Sequence, residues 1–163
     1  MRMLEILEAT HAARMSRPPL YSTTSRRLMM RNIQQLTKRF GDTIPFSALG
    51  LDRNDDLIYR QLPAIFGEAE WSENQKTMET VPISALMVQS QNGVGSKNLL
   101  NVLAHLDEAP LPELVKFSDD TFWVMEGHHR IALAILSGRT SIDATVEINA
   151  TIMDGVASLL DRS

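Results

Sequence analysis

The residues of this chain best suited to chemistry stand together in one stretch, Glu126-Gly127-His128-His129-Arg130, and an apolar segment follows directly. The stretch is therefore predicted to open a buried helix. The first turn of a helix offers unpaired backbone amides and the positive end of the helix dipole, which together attract anions. Arg130 adds a planar fork that matches phosphate, and histidines transfer protons near neutral pH. These features predict a phosphate site in which Gly127 lets the backbone approach the ligand.

Two interpretations of these residues stay open. In the first, the segment from Gly127 to Arg130 holds a phosphate. One histidine, His129 rather than His128, is then the general acid or base, and Glu126 orients it or holds a metal. Neighbouring helical residues diverge by about 100°, so only one histidine is expected to face the ligand. In the second interpretation the first turn is merely solvated, and the histidines satisfy nearby carbonyls.

Two further features bear on phosphate chemistry. We call Glu126 to Arg130 the histidine box. Lys97 stands in the first turn of a predicted helix, where it either reaches a phosphate held by the histidine box or is solvated. The glycine spacing before it is not that of a P-loop. Glu126 and a histidine, joined by Asp119 or Asp143, form a candidate site for Mg²⁺ or Mn²⁺. A nucleoside triphosphate is the other cofactor that a phosphate site predicts.

Hydrophobic periodicity indicates the elements that position these residues. From Thr80 onward the order is strand, helix, strand, strand, helix, strand, which predicts an α+β fold with a small mixed sheet and packed helices. Residues 121–126 are apolar on both faces, as in a central strand. Residues 141–148 alternate, as in a strand with one wet face. Ser96 is predicted to cap the helix that contains Lys97.

A helical N-terminal extension is predicted before this domain, with helices over residues 2–15 and 22–40. The second helix carries two opposed faces, an apolar one with Met29, Ile33, Leu36 and Phe40 and a basic one with Arg27, Arg31, Gln34 and Lys38. A short helix ended by Pro63 and a polar connector over residues 67–79 follow. The predicted division is an extension over residues 1–78 and a phosphate-binding domain over residues 79–163.

The charge is unevenly distributed along the chain. The 163 residues carry a net charge of −4, but the first 40 hold eight basic and two acidic residues, a net +6, which leaves −10 for the remainder. This asymmetry predicts a basic arm whose Arg27, Arg31 and Lys38 contact nucleic acid, an acidic protein partner, or the acidic body of the chain itself.

Composition excludes several classes of protein and of site. The chain contains no cysteine, which excludes disulfides, thiolate zinc sites and cysteine nucleophiles and fits a reducing compartment. No apolar run approaches the roughly 18 residues of a membrane span, and the first 15 residues mix charges into their apolar positions, unlike a signal peptide. We therefore expect a cytoplasmic protein that does not bind membranes.

The segment FWVMEGHHRIALAILSGRTSIDATV, residues 122–146, resembles the second conserved box of the ParB/sulfiredoxin superfamily. That box has a variant form with an acidic residue, Gly-His-His-Arg, an alanine-rich helix, a glycine turn and a last strand. The order of the upstream elements is similar too, so the resemblance covers about Thr80 to Glu147. It implies a sulfiredoxin-like fold in which Gly127, His128, His129 and Arg130 cradle phosphates.

Differences from particular members narrow the chemistry that the resemblance implies. Sulfiredoxins place a catalytic cysteine where this chain has His128, which excludes sulfinic acid reduction. Chromosome-partitioning ParB proteins carry Gly-Glu-Arg-Arg at the box and a helix-turn-helix after it, and the residues after Gly138 are too few for that module. Free-serine kinases of the superfamily use a glutamate from the first-strand region, whereas residues 87–97 contain no acid. Nuclease activity is neither excluded nor required.

The sequence therefore predicts a nucleotide- or DNA-backbone-binding ParB-like domain, with phosphodiesterase, nuclease or nucleoside triphosphate hydrolase activity as the enzymatic possibility. The alternative is a non-catalytic accessory protein of a phage or mobile element, which binds a protein partner through its N-terminal helices.

Overall fold

The computed structural model describes residues 21–51, 56–88 and 93–161. These ranges contain five α-helices and seven strands, which confirms the predicted α+β class. None of the helices in them is both long and apolar enough to cross a membrane. The helix predicted over residues 2–15 lies outside the described residues, as do residues 89–92 of the loop before Lys97.

The helices are α1 (Thr23–Phe40), α2 (Asp56–Glu68), α3 (Ser96–Ala104), α4 (His128–Leu136) and α5 (Ala150–Asp161). The strands are β1 (Thr43–Pro45), β2 (Gln75–Pro82), β3 (Leu86–Met87), β4 (Gly93–Gly95), β5 (Glu113–Ser118), β6 (Thr121–Glu126) and β7 (Ser141–Ile148).

Five strands form one mixed sheet in the order β2-β7-β5-β6-β3. The β2–β7 and β5–β6 pairs are antiparallel, whereas β5–β7 and β3–β6 are parallel. The remaining strands, β1 and β4, form a separate antiparallel ribbon. The predicted central position of residues 121–126 is confirmed, because β6 lies between β5 and β3.

Helices pack on both faces of the sheet because successive side chains of its central strands point in opposite directions. Leu114 and Val124 belong to a hydrophobic cluster that includes side chains of α1, α3 and α4. Their neighbours in the same strands, Val115 in β5 and Trp123 in β6, belong to a second cluster with side chains of α2 and α5. Alternation along two strands thus places the box helix α4 on the same face as the basic helix α1.

Helix α1 forms as its sequence predicts. The Ser22 hydroxyl accepts a hydrogen bond from the Ser25 amide at 3.0 Å and caps the first turn, and Gly41, with φ +82°, ends the helix. Met29 and Ile33 are fully buried, while Phe40, predicted on the same apolar face, is 37% exposed. Burial of Met29 and of Ile33 stabilises the structure by about 1.5–3 kcal/mol each, so α1 is firmly attached to the body.

The structure corrects two predictions for the segment between α1 and the domain. Pro63 does not end a helix, since α2 continues to Glu68. Burial of Ile58, Leu62 and Ile65 outweighs the roughly 3 kcal/mol that an internal proline costs a helix. The polar connector predicted over residues 67–79 is in part strand, because β2 begins at Gln75 and pairs with β7 along its whole length.

The predicted boundary at residues 78 and 79 falls inside strand β2. On either side of it, side chains contribute to one core: Met29, Ile33 and Ile44 from the predicted extension share a hydrophobic cluster with Leu99 and Ile131 from the predicted domain. Residues 21–51 are therefore packed into the body rather than extended from it.

Candidate functional site

The histidine box lies where strand β6 turns into helix α4. Gly127 occupies the N-cap position of α4 in the left-handed conformation, with φ +95° and ψ +22°. A Cβ at this position would lie 2.7 Å from Cα of Pro112 and 2.9 Å from its Cβ. Glycine is therefore required at residue 127 by the backbone conformation and by contact with Pro112. Close approach of a ligand, the reason given from sequence, is not needed to explain it.

The first turn of α4 has no side-chain cap, so its amides are available as the sequence predicted for an anion site. The Gly127 carbonyl accepts the hydrogen bond from the Ile131 amide at 3.0 Å. Glu126 ends β6, is exposed, and stands opposite Glu113 of β5 in the strand register. Glu113 was not identified from sequence, since only strand pairing brings it to the box.

The two histidines differ in their surroundings. The His128 ring contacts the Phe46 ring, with 5.5 Å between centroids. Burial lowers the pKa of His128 below its usual 6.5, and the neighbouring His129 lowers it further. Burial also lowers the pKa of His129. Both rings are therefore neutral at pH 7, the form in which an imidazole can accept a proton.

Arg130 is directed into the protein. Its side chain is buried, and Nη1 donates to the carbonyl oxygens of Leu106 at 3.1 Å and Ala109 at 2.5 Å. These two bonds fix the turn between α3 and β5. The predicted phosphate contact is thus left to Nη2 and Nε, because both protons of Nη1 are engaged in the turn.

A small cavity of about 20 Å³ adjoins Arg130 and is lined by Tyr21, Arg139 and Asp143 among others. The Arg139 guanidinium lies 3.8 Å from the centre of the Tyr21 ring. Burial raises the pKa of Tyr21, although Arg139 and Arg130 oppose the shift. The volume suits one water molecule. Tyr21 and Arg139, which were not identified from sequence, join the start of α1 to the end of α4.

The basic face of α1 is open to solvent. Arg27, Arg31 and Lys38 are exposed and form no ion pair with any other residue in the described ranges. Arg26, one residue outside this face, is different, since it bonds the Asp107 carboxylate at 2.8 Å. The sequence left open that Arg27, Arg31 and Lys38 contact the acidic body of the chain. In the described ranges it is Arg26 that makes such a contact, and those three residues do not.

Lys97 lies in the first turn of α3 and lines a cleft of about 570 Å³ between α3 and α1. None of the residues of the histidine box lines this cleft. Lys38, predicted for a different site, lies across the cleft from Lys97, and Ser96 belongs to the same wall. Ser96 is not the helix cap that its sequence suggested, since Gly95 takes that position and the Ser96 hydroxyl donates to the Gly41 carbonyl at 3.0 Å.

The acids considered for a metal site lie in different places. Asp119 lies in the β5–β6 turn and pairs with Lys116 at 3.5 Å, whereas Glu126 ends the same hairpin. The six residues of β6 separate them by about 20 Å. Asp143 accepts a hydrogen bond from Thr80 at 2.6 Å. Within the described ranges, no group of three or more His, Asp or Glu side chains is arranged to hold a metal.

Comparison of the chain with known protein families, with curated proteins and with solved structures finds no match. The resemblance to the ParB/sulfiredoxin superfamily therefore stays a prediction.

Proposed function

We propose that this protein binds the sugar-phosphate backbone of a nucleic acid through the basic face of α1. The observation that carries the proposal is that Arg27, Arg31 and Lys38 stand exposed on one face of a helix whose opposite face is buried in the core. Arg27 and Lys38 are eleven residues apart, or about 16 Å along a helix, which spans about five nucleotides at 3.4 Å each.

The electrostatics of the chain favour this use of the face. A net charge of −4 opposes unspecific binding of polyanions, so binding requires a local concentration of positive charge. Such cations neutralise phosphates and release their counterions, which supplies most of the affinity in sequence-independent binding. A helix fixed by Met29 and Ile33 presents them without an additional ordering step.

The test is a titration of fluorescently labelled DNA and RNA over a range of salt concentrations. Wild-type affinity is expected to fall steeply with salt, and Arg27→Ala/Arg31→Ala/Lys38→Ala is expected to reduce the logarithmic salt slope by about 2–3. The control removes three cations elsewhere, as Arg60→Ala/Lys76→Ala/Lys116→Ala, and is expected to change the slope little. Equal slopes for the two triple variants would refute the proposal.

Phosphodiester or nucleotide hydrolysis at the histidine box is the second candidate function. It is supported by His129, which is neutral at pH 7, next to the uncapped amides of α4. We propose that His129 accepts a proton from water as the water oxygen bonds to phosphorus. The P–O ester bond then breaks, and the leaving oxygen takes the proton back. The α4 amides stabilise the charge that develops on the phosphoryl oxygens.

A divalent ion fits this second candidate at the level of ligand chemistry. Mg²⁺ is usually bound by one or two carboxylates together with substrate phosphates, and Glu126 with its register partner Glu113 supplies two. Mg²⁺ or Mn²⁺ would neutralise charge on the phosphoryl oxygens when bound.

The assay is hydrolysis of labelled DNA, RNA and nucleoside triphosphates with Mg²⁺ or Mn²⁺ and with chelator. Loss of turnover in His129→Ala, together with retention of DNA binding, is the expected result. No turnover by highly purified wild-type protein on any substrate would rule out the catalytic proposal. A protein that also binds no nucleic acid would leave the interpretation as an accessory protein.

A further inference from the structure

We infer that the cleft between α1 and α3 takes an unpaired base, so that the protein prefers single-stranded nucleic acid to duplex. This inference rests on the proposed binding of nucleic acid by α1 and specifies the form of the ligand. It is carried by two lysines, Lys38 and Lys97, on opposite walls of one cleft with an apolar surface between them.

The cleft adjoins the basic face of α1. Gln34 and Lys38 of α1 line it, and Arg31 lies one helical turn before Gln34. A strand bound along Arg27 and Arg31 therefore reaches the cleft at Lys38. Lys97 then continues the row of cations onto α3, where neither its charge nor that of Lys38 is paired within the described ranges.

The size and the lining of the cleft suit a nucleoside rather than a phosphate alone. Its volume of about 570 Å³ lies within the ~300–1,000 Å³ of small-molecule sites. Leu100, which is 38% exposed, gives the cleft an apolar surface that a base can cover, and buried Ile33 closes its floor. A base stacked on this surface removes apolar area from water, while Lys38 and Lys97 contact the phosphates on either side.

A duplex does not fit this arrangement, because its bases are stacked and paired inside the helix. Insertion of one base would first require that it be unpaired and unstacked. Single strands present their bases at no such cost, and proteins commonly bind them with a basic groove and aromatic side chains on which the bases stack. In this cleft the aliphatic side chain of Leu100 provides the surface instead. The cleft therefore predicts that a single strand binds more tightly than a duplex with the same number of phosphates.

Asp42 adds a means of distinguishing bases. Its carboxylate is exposed on the wall of the cleft and can only accept hydrogen bonds. Cytosine and adenine offer an exocyclic amino group, whereas thymine presents a carbonyl oxygen there. With two lysines and one carboxylate, the cleft keeps a positive balance that still attracts phosphate. We expect tighter binding of oligo(dC) than of oligo(dT), and Asp42→Ala should abolish that difference.

The experiment measures fluorescence anisotropy with three probes of equal phosphate number: a mixed-sequence single strand, a hairpin duplex, and a single strand of abasic sites. Wild type is expected to bind the single strand about tenfold more tightly than either of the others, because only an exposed base covers the apolar surface of Leu100. Leu100→Ser should remove most of that preference without a change of charge, while Lys97→Ala should weaken single-strand binding severalfold.

Matched controls separate a specific effect from general damage. Leu57, on α2 at the other face of the sheet, is 42% exposed. Leu57→Ser is therefore the same substitution at an exposed site away from the cleft, and it should keep the preference for the single strand. Lys76→Ala removes one charge from β2 and controls for Lys97→Ala. Urea titrations of these four variants and of Asp42→Ala test folding, which we expect to be kept because all five substituted side chains are exposed.

The possible outcomes distinguish this inference from the function on which it rests. Equal binding of all three probes, with a salt slope that depends on α1, overturns the base cleft and leaves backbone binding in place. No binding to any probe overturns both proposals. Displacement of the single strand by poly-glutamate at the same charge concentration also overturns the base cleft, since it indicates an acidic protein partner.

Discussion

Gly127→Ala tests whether the glycine of the histidine box serves the fold or a ligand. Alanine at φ +95° is strained by about 1 kcal/mol in the left-handed region. Its Cβ would also lie 2.7 Å from Cα of Pro112, a backbone atom that cannot rotate away. Pro112 itself is held by β7, because its carbonyl accepts a hydrogen bond from the Thr145 amide at 2.9 Å.

The cost of the contact with Pro112 can be separated from the cost of the positive φ by a second glycine that has a positive φ but no such contact. Gly138 has φ +88°, but a Cβ there would meet no atom within 4 Å. Gly138→Ala should therefore reduce the free energy of unfolding by about 1 kcal/mol. Gly127→Ala should reduce it by about 2–4 kcal/mol, because overpacking of this kind adds about 1–3 kcal/mol.

Urea denaturation of the full chain, followed by circular dichroism, measures both changes in the free energy of unfolding. The expected difference between the two variants is about 1–3 kcal/mol, or several degrees in Tm for a chain of this size. Equal destabilisation by the two substitutions would contradict the contact with Pro112. In that case, close approach of a ligand to the backbone would again be the explanation for glycine at residue 127.

Two further predictions concern the other box residues. Arg130→Met should lower the free energy of unfolding by about 2–4 kcal/mol, because it leaves the Leu106 and Ala109 carbonyls without their donor. The control is Arg26→Met, which removes a partly exposed ion pair and should lower the free energy of unfolding by less than about 1 kcal/mol. Equal losses in the two variants would contradict a structural role for Arg130. The lowered pKa values of His128 and His129 mean that the unfolded chain binds more protons. Stability should therefore fall as pH drops below 6.5, until the folded-state pKa values are passed, and His128→Ala should flatten this dependence in urea titrations from pH 7.5 to 5.

Much of the fold could be predicted because the deciding information is local. In α1 the period of Met29 and Ile33, the Ser22 cap and Gly41 all indicate one helix with the bounds observed. In β6 the doubly apolar pattern indicates a central strand, and β6 is one. The α+β class follows from the order of such elements.

The errors arise where neighbours in space outweigh local preference. Pro63 disfavours a helix, but burial of Ile58, Leu62 and Ile65 maintains it. Strand β2 has no apolar period, because most of its side chains are exposed at the edge of the sheet. Only its pairing with β7 makes it a strand, and pairing between distant segments is not visible in either segment alone.

The candidate sites show the same limit. Residue types identified Lys38 and Lys97 as cations that could contact phosphate, but assigned them to different sites. They are 59 positions apart, and only the packing of α3 against α1 brings them to one cleft. Likewise, no pattern around Arg130 indicates whether its side chain points toward the amides of α4 or toward the turn after α3.

Three of the five residues of the histidine box have structural roles, which leaves two as candidates for catalysis. Gly127 contacts Pro112, His128 packs on Phe46, and Nη1 of Arg130 holds the turn after α3. Those three residues therefore have reasons to be present that need no ligand, so their occurrence alone does not argue for catalysis. His129 and Glu126 have no such role among the contacts described. A catalytic interpretation must rest on those two, and His129→Ala is the substitution that separates activity from stability most clearly.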